Sequence, residues 1–310
     1  MKQRAITGTI MMLVVIPLIL LDVLLIPFQV VFGLLSIAAV YELIRMYERQ
    51  HQLHWLIKTA IYLLTAGFYV LVGNVWQGPN ALIANLTLNV SYVLWPTVLI
   101  LFILCIFNSG AKDHELGFSF LTILYAGLGF GAITFLRVLG AQYVLYLFIT
   151  TISTDMFAYF FGIKFGKHKM APTISPKKSW EGAIAGTVFG TVFGTLFGIV
   201  FLPTQLGTLF AESSAIVPVG VVTLFEPLVI RGTVVWRLIP VILPITLAVS
   251  IVAQLGDLFA SKLKRTYEIK DFGTIFPGHG GILDRFDSAI FGSIFLIFIF
   301  KVLTTLWPGI

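Results

Sequence analysis

A polytopic, all-α bundle of about nine transmembrane helices is the fold class that this sequence predicts, and three observations carry the prediction. Of 310 residues, 58% are hydrophobic and only 11% are charged, where a soluble domain carries about 25% charged residues. The mean hydropathy is +0.98. The apolar residues gather in runs close to the ~20 residues that a bilayer-spanning helix needs, and the basic residues are dense in alternate segments between those runs. Such a composition excludes a disordered chain, which requires low hydrophobicity. It also excludes an outer-membrane barrel, whose strands alternate polar and apolar residues.

Taken in order, the apolar runs are 6–21, 23–44, 57–73, 91–107, 118–136, 141–162, 182–202, 237–260 and 287–306. Met1-Lys2-Gln3-Arg4 before the first run resembles a signal peptide, but no small-x-small cleavage site follows before Asp22, so the run reads as an uncleaved first helix. Asp22 and Pro27 mark a turn between the first two runs, with one long bent helix as the alternative. Gly182, Gly186, Gly190, Gly194 and Gly198 recur every four residues and make a smooth ridge on one helix face, open to close packing within the chain or in a homodimer. Gly127, Gly129 and Gly131 are read likewise as packing positions and not as a nucleotide loop. The stretch 213–230 contains Pro218, Glu226 and Pro227 and reads as a loop that dips into the membrane, not a span. Cys105, the one cysteine, sits in an apolar run and is a small packing residue. No Cys/His cluster suggests zinc.

Nine spans with the N-terminus inside put 16 of the 20 Lys and Arg on the inner side, leaving Arg137, Arg231, Arg237 and Lys301 outside. That split follows the positive-inside rule, which also accounts for the net charge of +6 without nucleic acid as a partner. The chain divides into N-terminal helices, 1–140, and a region 141–310 that carries the chemistry, with no soluble domain.

Two inner loops, 163–181 and 261–286, hold ten of the inner basic residues. In the second, Asp271 and Asp284 accompany the bases, with Asp257 just before and Asp287 just after. Topology alone has no use for acids among the bases. A polyphosphate–metal site needs both, carboxylates for Mg²⁺ and cations for phosphate oxygens. If the helix through 237–260 continues inward, Asp257, Ser261, Lys264 and Arg265 share one face. Pro277-Gly278-His279-Gly280-Gly281 forms a tight bend whose backbone N–H groups can approach phosphate. In the first loop Pro176 disfavours helix at Ser175, and the helix resumes near Ser179. Lys177 and Lys178 then stand at a helix N-terminus, unfavourable for the dipole unless an anion binds there. Asp155 lies about seven residues inside its run, so it should face the bundle interior with a partner. Asp22 and Glu42, nearer the span ends, read as interfacial.

At this point a family resemblance is visible. Ser261-x-x-Lys264-Arg265-x4-Lys270-Asp271-x5-Pro277-Gly278-His279-Gly280-Gly281-x-x-Asp284-Arg285-x-Asp287 resembles the signature of the phosphatidate cytidylyltransferases, also called CDP-diacylglycerol synthases. Gln254-x-Gly256-Asp257-Leu258 looks like its lead-in. Asp155-x-x-Ala158-Tyr159-x-x-Gly162-x-x-x-Gly166 and Ser175-Pro176-Lys177-Lys178-Ser179-Trp180-Glu181-Gly182 resemble two further motifs. The likeness is strong from about 150 to 290, and the outer segment 203–236 looks longer than in bacterial members.

The resemblance implies the reaction CTP + phosphatidate → CDP-diacylglycerol + diphosphate, with Mg²⁺ and room for a second ion, in a multi-pass plasma-membrane protein whose active site faces the cytoplasm. It implies Asp257 and Asp284 as metal ligands with Asp287 in support, and Lys264, Arg265 and Lys270 on the triphosphate. Lys177 and Lys178 would bind phosphate of CTP or of the lipid. Asp155 would orient a lysine or reach the metal. Ser175, Glu181, Ser261, Asp271, Gly280, Gly281 and Arg285 complete the implied substrate positions. His279 has two readings, a group acting on a phosphate oxygen or a hydrogen-bonding member of the bend. Two rival functions stay open at this level: a CTP-dependent, polyprenol-type lipid kinase, and a transporter, although no repeat of two halves is evident.

Overall fold

The computed structural model describes residues 2–74, 91–107, 113–201, 239–276, 278 and 280–306. The segment 203–236, with the dipping loop expected at 213–230, and His279 lie outside the described residues. Two compact units emerge. Unit 1 comprises 1–138 and 266–286, and unit 2 comprises 139–265 and 287–310.

Each of the nine apolar runs corresponds to described helix. The helices are α1 (Lys2–Leu20), α2 (Leu25–Tyr47), α3 (Trp55–Val72), α4 (Ser91–Phe107), α5 (Asp113–Thr122), α6 (Gly129–Leu139), α7 (Ala141–Phe165), α8 (Trp180–Phe201), α9 (Ile239–Thr266) and α10 (Leu283–Leu306). A π-helical turn, Ile123–Leu128, joins α5 to α6 within what the sequence presents as one run. Among the described residues six helical segments are long and apolar enough to cross a membrane. Together they make the protein a polytopic helical membrane protein. The first two runs are separate helices: Leu21 is extended, Asp22–Leu24 form a 3-10 turn, and Pro27 falls in the first turn of α2, where a missing N–H does no harm.

Unit 1 is held by aromatic packing. Phe28, Phe32, Phe68 and Phe130 are fully buried, and the rings of Phe28 and Phe32 stack at 4.1 Å. A Cβ on Gly127 would lie 2.8 Å from that of Phe68, so this glycine brings the π-helical turn against α3. The packing role expected of it is the one it has. Arg137 is 2% exposed and pairs with Asp22 at 3.1 Å; a buried guanidinium needs such a carboxylate. Asp22, read from the sequence as interfacial, is thus an ion-pair partner.

In unit 2 the glycine ridge is an internal device. A Cβ at Gly182 would lie 2.6 Å from the Ala158 carbonyl, and one at Gly186 2.6 Å from that of Thr154. Gly190 and Gly194 face the hydroxyls of Thr154 and Thr150. The ridge therefore lets α8 lie directly on α7. Facing α9, the same hydroxyl stripe bonds Thr154 to Ser250 at 2.7 Å and Tyr146 to Thr246 at 2.6 Å. Buried hydroxyls paired between helices hold them together where hydrophobicity cannot.

Candidate active site

In unit 2 the functional side chains start from a hairpin that the sequence presents as plain loop. β1 (Lys169–Ala171) pairs antiparallel with β2 (Ser175–Ser179), with Lys169 opposite Ser179 and Ala171 opposite Ser175. Ser179 then caps α8, its Oγ accepting from the Gly182 N–H at 3.2 Å. Glu181 anchors the hairpin, reaching His168 Nδ1 at 2.6 Å and accepting from the His168 backbone N–H. At the hairpin tip Arg265, from the end of α9, donates to the Ile174 carbonyl at 3.2 Å.

On the strand, side chains alternate. Lys177 is exposed, while Lys178 is half-buried and places its Nζ 2.5 Å from Asp257 Oδ2. The anion expected near these lysines is, for Lys178, a carboxylate of the protein itself. Asp257 stands on α9, which continues to Thr266, so the face shared with Ser261, Lys264 and Arg265 forms as predicted. Ser261 Oγ approaches Asp257 Oδ1 at 3.4 Å. The extension also changes the depth. Asp257 is nine residues from the helix end, roughly 14 Å by helix rise, where the apolar run put it about three. A Cβ on Gly256 would lie 2.7 Å from the Asp287 carbonyl. That absence of a side chain lets the start of α10 lie on α9 beside Asp257.

Asp155 stands on α7, which runs on to Phe165; its side chain is accessible to solvent and has the partners expected of it. Asp257 and Lys178 lie within its electrostatic reach, with Ser288 alongside. Asp287 senses Asp257 and Asp155, with Lys264 as a counter-charge. Unit 2 thus gathers three like-charged carboxylates and two lysines. The donors are all hard oxygens, the chemistry that Mg²⁺ selects, and a bound cation would relieve their mutual repulsion. The set fits Mg²⁺ by chemistry, although among the described residues no three acidic, His or Cys side chains converge as a ready-made cage.

In unit 1 the other half of the motif folds around two carboxylates. Asp284 Oδ2 accepts from the Phe272 N–H at 2.8 Å and the Gly281 N–H at 2.9 Å. Gly280 has φ +89°, and a Cβ there would meet Asp284 at 2.8 Å; only glycine suits both demands. The bend closes with Phe276 N–H donating to the Gly280 carbonyl at 3.0 Å. Glu42 of α2 accepts from the Ile282 N–H at 2.9 Å and the Leu283 N–H at 3.1 Å, and Gly273 and Gly281 pack against its carboxylate. Of the bend offered by the sequence to phosphate, the Gly281 N–H is therefore held by a carboxylate of the protein, as are those of Ile282 and Leu283 just after it.

Glu42 is the residue that sequence reasoning missed. It is 1% exposed, where a place near the span end suggested an interfacial side chain. The available signal was its depth, since a carboxylate inside an apolar helix marks a site by default. Lys270, Asp271 and Arg285 of the same segment are exposed.

The sequence matches the model of the cytidylyltransferase family over residues 2–303. A protein of Bacillus subtilis named phosphatidate cytidylyltransferase is 32% identical over 302 residues, covering 96% of this chain and 97% of its own length. Proteins of that name from Staphylococcus aureus and Staphylococcus haemolyticus are 38% and 40% identical over 177 residues. These alignments cover 57% of this chain and 56% of each relative.

Proposed function

Because the chain belongs to the cytidylyltransferase family, we propose that it transfers the cytidylyl group of CTP to phosphatidate, giving CDP-diacylglycerol and diphosphate. The observation that carries this reading is the match along nearly the whole length of a relative bearing that name. A membrane enzyme suits a lipid substrate, and the bacterial relatives and the basic inner segments support a plasma-membrane location with the site facing the cytoplasm.

The lipid brings its own nucleophile. A phosphatidate phosphate oxygen attacks the α-phosphorus of CTP, a P–O bond forms there, and the bond to the β-phosphate bridging oxygen breaks. Diphosphate leaves with that electron pair. The protein's part is to position reactants and neutralise charge. Lys178 and Lys264, held beside Asp257 and Asp287, are cations fixed in place for phosphate oxygens. Arg265 and Lys177 extend that charge along the hairpin, and Lys270 supplies it from the other part of the motif. Glu181 and Ser175 keep the hairpin in register.

Within unit 2 we assign Mg²⁺ to Asp257, with Asp287 in support. Asp284, its Oδ2 gripped by two N–H donors, is oriented in the way metal-ligating carboxylates are. When bound, the ion would neutralise phosphate charge that the lysines alone leave uncompensated. Asp155 positions Lys178 by charge.

The test is a product assay on purified protein with phosphatidate, α-labelled CTP and Mg²⁺, with EDTA as control. Label entering the lipid with diphosphate released supports the reading. Label left in CDP, with phosphate on a lipid alcohol, would replace it with a lipid kinase.

A further inference from the structure

Within unit 1 the end of α2 and the segment 268–274 enclose a cavity of about 260 Å³, lined by Arg45, Met46, Arg49, Lys270, Phe272 and Thr274, among others. Glu268 and Asp271 complete its charged rim. We propose that this cavity binds a phosphate group, and that Arg45 and Arg49, which stand outside every motif of the sequence, are its chief ligands.

Four observations converge. First, the walls are fixed. Gln50 Nε2 donates to the Thr266 carbonyl at 3.3 Å, the rings of Tyr47 and Tyr267 meet at 5.9 Å, and Asp284 accepts from the Phe272 N–H at 2.8 Å. Second, charge is unspent. Among the described residues Arg45, Arg49, Lys270, Glu268 and Asp271 form no ion pair, although cations and anions share one rim. Three exposed cations on a fixed frame suit a doubly charged oxyanion better than each other. Third, Glu268 sits at φ +53°, a left-handed conformation that a side-chain-bearing residue rarely adopts, and such outliers gather at ligand sites. Fourth, the volume is below the 300–1,000 Å³ of whole-ligand pockets. It admits the phosphate end of a ligand, not an entire nucleotide.

The phosphate has two sources, the phosphomonoester of phosphatidate or the polyphosphate end of CTP, and naming these two rests on the cytidylyltransferase reading. Binding is measured on the full chain in detergent, CTP by equilibrium dialysis and phosphatidate by native mass spectrometry. Arg45→Gln with Arg49→Gln should weaken one arm at least about tenfold, and the arm that weakens identifies the source. The double Arg→Lys variant should recover most of that loss. Lys58→Gln, which removes an inner basic residue paired with Glu48, should change neither arm. Both arms within twofold of wild type in a protein that melts normally would overturn the proposal. Should the double variant fail to fold, Arg49→Gln alone, lying beyond the helix end, decides by the same criterion. If wild-type protein binds neither substrate, the cytidylyltransferase reading fails, and inorganic phosphate binding to the same variants still tests the cavity.

Discussion

The acidic residues of the two units look alike in sequence and are used differently. In unit 1, Glu42 and Asp284 each accept two backbone N–H groups of the 272–283 segment; Glu42 commits both oxygens to holding backbone, whereas Asp284 commits Oδ2 alone. In unit 2, Asp155, Asp257 and Asp287 take one another and the lysines Lys178 and Lys264 as electrostatic neighbours. Charge of that kind, repelled by its own kind and partly balanced by lysines, is available to a ligand. The lesson is that acid count and spacing locate a site, whereas the hydrogen-bond partner of each acid separates frame from chemistry.

The largest expected effect breaks the unit 2 side of this contrast. Asp257→Asn should lower turnover by roughly a thousandfold or more, in the range of losing a principal charge-stabilising group, while the melting temperature in detergent stays near wild type. A diphosphate-release assay with a parallel melt checks both. Asp284→Asn should do two things at once. Turnover falls comparably, and the Phe272 and Gly281 amides lose hydrogen-exchange protection, because an amide holds two N–H donors less well than a carboxylate. Glu42→Ala should cost about 2–5 kcal/mol, since it leaves two buried N–H groups without acceptors. Thermal unfolding measures this, and Glu42→Gln should recover part of it.

Gly186→Ala comes next. Its methyl would meet the Thr154 carbonyl, and overpacking of that kind costs typically 1–3 kcal/mol, read as a lower melting temperature. The smallest effect belongs to Glu181→Gln. It loosens an exposed contact to His168, so any stability change should be within the small range of surface pairs, and a shift in the apparent KM for one substrate is the sensitive readout.

Much of the fold was legible because bilayer thickness makes apolar run length informative. The ridge Gly182–Gly194 was legible as packing, and the structure supplies its partner, α7. The face Asp257–Ser261–Lys264–Arg265 was legible because helix periodicity fixes it. Three features were not. The hairpin at 169–179 is too short for a periodic signal, and its strand β2 carries Lys177 and Lys178 where hydrophobic alternation would be sought. Glu42 lies 240 residues from the N–H group of Ile282 that it holds, and no local pattern encodes so distant a partner. The depth of Asp257 was underestimated because polar residues extend α9 beyond its apolar run.

The most direct test is diphosphate release by Asp257→Asn, in protein that melts as wild type does, with phosphatidate, CTP and Mg²⁺ all saturating. Release should be no higher than about a thousandth of the wild-type rate. Release within a few-fold of wild type would contradict it, and would move the chemistry away from the carboxylates of unit 2.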